Sequence, residues 1–165
     1  MTGVLQGRTA AVTGAARGIG ATIAAALSRA DAAVAVIDKD VEGAKRTAEE
    51  VGGVAVAADL TDPDEAARAL QDVVDALGVP DVFVNNAGIL RAGGLTTSRI
   101  DDWDAQFSVN TRAAYRSVRA AAGHMRRRGA GGRSSRSRRT APAPREWTWA
   151  PNARPRPGQR AGSMG

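Results

Sequence analysis

The chain has 165 residues and a formal net charge of +6, yet its charges are divided unevenly along the sequence. Residues 1–125 carry 12 basic and 16 acidic side chains, whereas residues 126–165 carry 11 arginines and the single acid Glu146, so the two segments have net charges of −4 and +10. The sequence has no cysteine, and His124 is its only histidine. Disulfides, thiolate catalysis, cysteine zinc sites and multi-histidine metal sites are therefore excluded, and we expect no metal site.

The last forty residues have no leucine, isoleucine, valine or phenylalanine, and they contain five of the seven prolines. Such a segment cannot bury enough apolar surface to offset the chain entropy lost on folding. We therefore predict one compact domain over residues 1–125 and a disordered basic tail over residues 126–165. The N-terminal residues lack the apolar core of a signal peptide, and no apolar run approaches ~20 residues, so we expect no membrane span and a cytoplasmic location.

Predicted strands and helices alternate along the first 125 residues. The strands are predicted over Thr9–Thr13, Ala33–Ile37, Val54–Ala58 and Asp81–Val84. The helices are predicted to begin near Gly18, Val41, Pro63 and Asp101, and the last runs to about Met125 with Trp103, Phe107, Ala114, Val118 and Ala121 along one side. Strands that are apolar throughout, separated by helices, are typical of a parallel sheet covered on both faces. The sequence therefore predicts a doubly wound α/β domain (a Rossmann fold), or at least its first half.

A glycine-rich loop follows the first strand, with the sequence Thr-Gly-Ala-Ala-Arg-Gly-Ile-Gly over residues 13–20. Gly14 permits a tight turn, Gly18 lets the backbone approach a pyrophosphate, and Gly20 allows close packing of helix and strand. The N-terminus of the helix, at Gly18, Ile19 and Gly20, then offers free N–H groups to the anion. The alternative is a flexible glycine loop without a ligand. No Gly-Lys-Ser/Thr follows, which excludes a P-loop ATPase.

Asp38 stands at the end of the second predicted strand. A carboxylate there accepts hydrogen bonds from both hydroxyls of an adenosine ribose and repels a 2′-phosphate, so the sequence favours NAD over NADP as cofactor. Arg17 and Lys39 favour the opposite choice, because either cation can bind a 2′-phosphate. The alternative interpretation of Asp38 is that it only caps the next helix.

These motifs, taken in order, resemble the N-terminal half of a short-chain dehydrogenase/reductase. The matching features are the loop over residues 13–20, Asp38, the pair Asp59-Leu60, the run Asn85-Asn86-Ala87-Gly88, and Asn110 within Ser-Val-Asn-Thr. The resemblance implies that Asp59 and Leu60 hold the adenine and that Asn86, Ala87 and Gly88 line the cofactor. It also implies that Asn110 belongs to the catalytic group through its helix and a bound water. Turn chemistry for the asparagine pair, and a bend in the helix for Asn110, are the alternatives.

A finer similarity lies in residues 87–93, Ala-Gly-Ile-Leu-Arg-Ala-Gly, together with Asp102-Trp103. This pattern is similar to 2,3-dihydro-2,3-dihydroxybenzoate dehydrogenases, which oxidise a cyclohexadiene diol to a catechol in siderophore pathways. The resemblance therefore implies a secondary alcohol or a cyclic diol as the substrate.

The catalytic pair of this family is missing from the printed sequence. The family uses a Tyr four residues before a Lys, in which the Lys lowers the Tyr pKa, and a Ser upstream. The only tyrosine here is Tyr115, followed four residues later by Arg119, and the only lysines are Lys39 and Lys45. We interpret Tyr115 and Arg119 as ordinary helix surface and expect the chain as written to be inactive.

The basic tail offers an explanation for the missing pair. If residues 134–157 are an out-of-frame translation, the codon classes permit Val-Thr-Val-Ala-Ser from residues 134–139 and Ser-Lys-Ala from residues 154–157. The recovered Ser and Lys stand at the separation that this family uses, although the position expected to be Tyr does not permit Tyr. The hypothesis is therefore a truncated, frameshifted enzyme.

A second hypothesis is a non-catalytic nucleotide-binding module whose arginine-rich tail binds polyanions such as nucleic acid non-specifically. Under either hypothesis, the absence of the strands that follow the fourth strand in relatives leaves an apolar edge and helix face uncovered, so we predict self-association or poor solubility.

Overall fold

The computed structural model describes residues 3–131. Four strands alternate with helices, as predicted: β1 (Thr9–Thr13), α1 (Gly18–Arg29), β2 (Ala33–Asp38), α2 (Val41–Val51), β3 (Val54–Ala57), α3 (Pro63–Leu77) and β4 (Val82–Val84). A long final helix has three parts, namely α4 (Ile100–Phe107), a π-helical segment (Ser108–Ala113) and α5 (Ala114–Gly131). The predicted strand limits and helix starts for residues 9–84 agree with the observed ones to within one residue.

The four strands form one parallel sheet with the order β3-β2-β1-β4. β1 lies in the centre, where Val12 is paired with Val36 of β2 and with Val84 of β4. This order is the first half of the doubly wound arrangement, in which the chain moves outward to β3 and then crosses back to the other side of β1. The structure therefore has the predicted Rossmann-like α/β fold.

Both faces of the sheet are buried at the two inner strands, β1 and β2, and alternate residues of each strand point to opposite faces. Val12, Val34 and Val36 pack with small side chains of α1 and α2 on one face. Ala11, Ala35 and Ile37 pack with α3 and the final helix on the other face. All of these strand residues are at most 1% exposed. Burial on both sides explains why the strands are apolar throughout rather than alternating.

Asp81 ties the start of the sheet to the end of the final helix. Its carboxylate accepts hydrogen bonds from the Arg8 guanidinium at 2.8 Å, the Thr9 N–H at 3.0 Å and the Arg128 guanidinium at 3.0 Å. Burial alone would raise the pKa of Asp81, but these hydrogen bonds outweigh burial and lower the pKa below its ordinary value. The charged form of Asp81 therefore stabilises the fold.

The final helix departs from the prediction in two ways. It ends at Gly131 rather than at Met125, so Arg126–Arg128 lie in helical turns. The predicted apolar stripe is not buried as one face: Ala121 is buried, whereas Trp103, Phe107 and Val118 are 57%, 49% and 48% exposed, which agrees with the predicted uncovered helix face. Two residues outside the predicted stripe, Ala113 and Ser117, also pack inward. The π turn changes the angular phase of the helix, so a constant helical period does not hold across it.

The rest of the predicted basic tail, residues 132–165, lies outside the described residues, as does the segment of the frameshift hypothesis. Within residues 3–131, β4 is paired on one side only, with β1, so its other edge has no strand partner there. Self-association through this edge stays a prediction. No helix in this part of the chain is both long and apolar enough to cross a bilayer.

Candidate functional site

A cavity of about 450 Å³ lies at the carboxyl ends of the strands, where the loops after β1, β2, β3 and β4 meet. In open α/β sheets, ligands bind in this crevice, where strand order reverses. The cavity is lined by every predicted cofactor-binding residue: Gly14, Arg17, Gly18, Ile19, Gly20, Asp38, Asp59, Leu60, Asn86, Ala87 and Gly88. The sequence pattern thus corresponds to one site, although binding itself stays a prediction.

The glycine loop needs its glycines for different reasons. Gly14 has φ +64°, and a Cβ there would lie 2.7 Å from the Cα of Ala87. A Cβ on Gly20 would lie 2.2 Å from the carbonyl oxygen of Gly14, so this glycine permits helix α1 to pack on the loop itself. Gly18 has φ +59° but open space around its Cβ position, on the side that faces the cavity. Only Gly18 therefore leaves room for a ligand.

The N-terminus of α1 is available for an anion. Its capping residue, Arg17, makes no side-chain hydrogen bond to the helix, and its first turn has no acidic residue. The first N–H groups of a helix have no partner within the helix. The N–H groups at Gly18 and Ile19 therefore face the cavity together with the positive end of the helix dipole, as a pyrophosphate requires.

Asp38 points its carboxylate toward this loop. One oxygen accepts the Ala16 N–H at 3.0 Å, and the other accepts the Asp40 N–H at 3.0 Å. Each carboxylate oxygen accepts up to two hydrogen bonds, so both retain capacity for a ligand hydroxyl. The N-cap of α2 is Asp40, which accepts the Gly43 N–H at 3.0 Å. The interpretation of Asp38 as only a helix cap is therefore wrong.

The two cations near Asp38 are placed differently. The Arg17 guanidinium is 86% exposed and lies 3.8 Å from the Asp40 carboxylate, which partly neutralises it. Lys39 is exposed and lines the cavity. Asp40 thus partly neutralises Arg17, whereas Lys39 lies next to Asp38 at the wall of the cavity.

Asp59 and Leu60 follow β3 at the same end of the cavity. The carboxylate of Asp59 accepts hydrogen bonds from the N–H and the hydroxyl of Thr61 at 2.9 and 2.7 Å, and these bonds lower the pKa of Asp59. Leu60 is only 8% exposed, since its side chain also packs in the core. The pair thus gives this end of the cavity a charged group beside an apolar surface.

Asn86 turns its side chain toward the protein rather than toward the cavity centre. Its amide nitrogen donates to the carbonyl oxygens of Thr13 and Gly14, both at 3.0 Å. The buried Thr13 hydroxyl in turn accepts the N–H groups of Asn86 and Ala87 at 3.0 and 3.1 Å. The two neighbouring loops are therefore held together by Thr13 and Asn86.

Asn110 lies in the π-helical segment, outside the lining of the cavity. Its side-chain oxygen accepts the Ile89 N–H at 2.8 Å, and its side-chain nitrogen donates to the Ile89 carbonyl oxygen at 2.9 Å. The helix is irregular at Asn110, as the alternative interpretation predicts, and the same side chain fixes the chain just beyond Gly88. Its catalytic role stays a prediction.

Several lining residues were not singled out from the sequence. These residues are Ala58, Thr61, Ile89, Val109 and Ala113. The one signal that the sequence offers is position, because Ala58, Thr61 and Ile89 stand shortly after the end of a strand. Tyr115 and Arg119 lie in a separate groove between α3 and α5, which agrees with their interpretation as helix surface.

Comparison with known proteins decides the family. A family model described as short chain dehydrogenase matches residues 8–133. The chain belongs to the short-chain dehydrogenase family. Among curated short-chain dehydrogenases, it is 35% identical over 131 residues to a sorbitol dehydrogenase from Cereibacter sphaeroides, a match that covers 78% of this chain and 51% of the relative.

Solved structures of short-chain dehydrogenases agree with this assignment. A 3-ketoacyl-(acyl-carrier-protein) reductase from Brucella melitensis, complexed with NADH, matches with a TM-score of 0.74 and 33% identity over 78% of this chain and 54% of the other. A short chain dehydrogenase from Burkholderia cenocepacia in complex with NADP matches with a TM-score of 0.69 and 42% identity over 73% of this chain and 51% of the other. The chain thus spans about half the length of the relatives it matches.

Proposed function

We propose that this chain binds NAD in the cavity at the ends of its strands, as the dinucleotide-binding part of a dehydrogenase that acts on a secondary alcohol or a cyclic diol. The observation that carries the proposal is Asp38, whose two carboxylate oxygens keep hydrogen-bonding capacity beside the free N-terminus of α1. A dinucleotide presents two ribose hydroxyls and a pyrophosphate, which match these two features.

NAD rather than NADP is the proposed cofactor because a 2′-phosphate would meet the negative charge of Asp38. Lys39 reduces this repulsion, and so does the exposed Arg17, whose charge is partly neutralised by the Asp40 carboxylate at 3.8 Å. Both kinds of complex occur among the structural relatives, one with NADH and one with NADP. The preference therefore depends on the residues of this chain.

The proposed reaction class is hydride transfer between an alcohol and the nicotinamide ring, which the cofactor supplies when bound. The sorbitol dehydrogenase among the relatives supports an alcohol substrate. The narrower assignment to a dihydrodihydroxybenzoate depends only on residues 87–93 and Asp102-Trp103. Because the printed sequence has no Tyr-x-x-x-Lys, we expect this chain to bind the cofactor without catalysing turnover at the rate of its relatives.

The test is the binding of NADH and NADPH to the full chain, measured by fluorescence titration. We expect NADH to bind more tightly, and Asp38→Ser to weaken NADH binding by about tenfold to 100-fold, since a hydrogen bond to a charged group contributes about 1.5–3 kcal/mol. The variant Asp72→Ser is the control, because Asp72 lies on the exposed side of α3 and its carboxylate is 4.0 Å from the Arg68 guanidinium. Equal binding of the two dinucleotides by wild type, or no effect of Asp38→Ser, would contradict the proposed preference.

The second hypothesis, a non-catalytic module with a polyanion-binding tail, predicts the same cofactor binding. It differs in predicting salt-sensitive binding of RNA or DNA that is lost when residues 126–165 are deleted. Sequencing the coding DNA and transcript across codons 126–140 tests the frameshift hypothesis, which an intact reading frame would exclude. The cytoplasmic location likewise stays a prediction.

A further inference from the structure

The chain beyond Gly88 is held to the final helix by two side-chain amides. Asn110 makes its pair of hydrogen bonds with the backbone of Ile89. Gln106 makes an equivalent pair with the backbone of Arg91: its oxygen accepts the Arg91 N–H at 3.2 Å and its nitrogen donates to the Arg91 carbonyl oxygen at 3.3 Å. Each amide thus satisfies both polar backbone groups of one residue, as a neighbouring strand would.

The spacing explains why both pairs form together. Gln106 and Asn110 are four residues apart on the helix, and the residues that they bind are two apart along the chain. Asp102, one further turn toward the helix N-terminus, binds the Arg91 guanidinium with its carboxylate at 2.7 Å. Asp102, Gln106 and Asn110 therefore form a row along one helix face, which we call the 102–110 ladder. The segment it holds is residues 89–91.

This segment begins at the wall of the proposed cofactor site. Ile89 lines the cavity next to Gly88, after β4, whereas Asp38 is the last residue of β2. With the adenosine ribose at Asp38 and the pyrophosphate at the N-terminus of α1 above β1, the rest of a dinucleotide extends toward the β4 side of the sheet. That remaining part carries the nicotinamide. The position of residues 89–91 therefore shapes the wall beside the reactive half of the cofactor.

We propose that Gln106, together with the ion pair between Asp102 and Arg91, is a positioning element for the nicotinamide half of the site. This inference rests on the proposed function. Gln106 touches neither the cavity nor a ligand, and it acts by fixing the backbone of Arg91 and, through it, the wall at Ile89. The sequence gives no motif for this role, since a glutamine on a helix is ordinarily a surface residue.

The test compares two ligands and one variant with a matched control. Gln106→Leu keeps the side-chain size and removes both hydrogen bonds to Arg91. Gln71→Leu is the control, because Gln71 is also a glutamine on a helix, and its amide donates to Asp75 four residues later on the exposed side of α3. The ligands are NADH and ADP, of which ADP has the adenosine and the phosphates but no nicotinamide. Hydrogen exchange of the ligand-free full chain reports on the Arg91 amide.

We expect Gln106→Leu to speed exchange at Arg91, to weaken NADH binding about tenfold, and to leave ADP binding within about twofold of wild type. Gln71→Leu should change none of these quantities. If exchange at Arg91 became faster but the ratio of NADH to ADP affinity stayed unchanged, the positioning role would be overturned. This includes the case in which both ligands lose affinity equally, which would show a general structural effect. Unchanged exchange would show that the Gln106 contacts do not hold the segment. If wild type bound neither ligand, the proposed function would fail first, and this role in it would fail as a consequence.

Discussion

The buried hydroxyl of Thr13 is the most informative group to remove, because it joins two loops of the site that are distant in sequence. It accepts the N–H groups of Asn86 and Ala87 and donates to the Val84 carbonyl oxygen at 3.4 Å. Thr13→Val preserves the shape of the side chain and the β-branched preference for a strand. The substitution therefore changes hydrogen bonding with little change in packing.

The expected cost follows from the two N–H groups that lose their acceptor. Leaving a fully buried donor without a partner costs about 1–3 kcal/mol, or about 2–6 kcal/mol for two. Asn86 and Ala87 are only half-buried, so we expect Thr13→Val to lower the free energy of unfolding by the lower part of this range, about 2–4 kcal/mol. Thr13→Ser keeps the hydroxyl and should recover much of this loss. Thr22→Val is the matched control, because Thr22 is exposed on α1 and its hydroxyl donates only to the Gly18 carbonyl oxygen at 3.0 Å.

Urea unfolding of the full chain, followed by circular dichroism, measures these differences. The comparison requires that the slope m, the dependence of the unfolding free energy on urea concentration, stays constant among the variants. The expected order of stability is wild type and Thr22→Val together, then Thr13→Ser, then Thr13→Val. A loss for Thr13→Val within about 0.5 kcal/mol of the Thr22→Val value would refute the reasoning, because the Asn86 and Ala87 N–H groups would then have found other partners.

Four further predictions concern other parts of the fold. Ser117→Ala should leave the melting temperature unchanged or raise it, because the Ser117 hydroxyl is buried and has no hydrogen-bond partner among the residues described; a clear fall would reveal a partner. Asp81→Asn should destabilise the chain most at neutral pH, because the lowered pKa of Asp81 stabilises the fold fully above the unfolded value of about 3.9. The difference from wild type should shrink below that pH and be lost as pH falls through the still lower pKa of the folded state; unfolding at several pH values measures this. Gly14→Ala should cost more than Gly7→Ala in urea unfolding, because both glycines have positive φ but only Gly14 would place a Cβ against backbone; equal costs would contradict the close approach to Ala87. Finally, sedimentation should show concentration-dependent association that Trp103→Ser weakens, since this side chain is 57% exposed and stacks on its exposed neighbour Phe107; a monodisperse monomer would count against it.

Most of the fold was predictable because its signals are local. The apolar strands, the helix starts at Pro63 and Gly18, and the order of elements each depend on a few neighbouring residues. The final helix was the exception. Its π segment changes the phase of the apolar face, and no short-range feature of residues 108–113 reveals where a helix will add a residue to one turn.

The candidate site likewise combines features that the sequence predicts with features that it does not. The sequence was sufficient to predict most of the residues that surround the cavity, because each motif stands at or after the carboxyl end of a strand. It did not predict which way their side chains point. The side-chain amide of Asn86 donates hydrogen bonds to the carbonyl oxygens of Thr13 and Gly14, and α2 is capped by Asp40 rather than by Asp38. The type of a polar residue determines how many hydrogen bonds its side chain can donate and accept, but its partners depend on which groups the fold brings near.

By itself, the sequence determined that the chain has an acidic, apolar segment able to fold and a basic segment without the side chains of a core, and that its glycines and carboxylates stand at strand ends. Only the tertiary structure decided that Thr13 binds residues 73 and 74 positions later, and that Gln106 binds the backbone of Arg91. The physical reason is range: strand and helix formation follow from neighbours along the chain, whereas the contacts that shape a site join groups that only the packed sheet brings together.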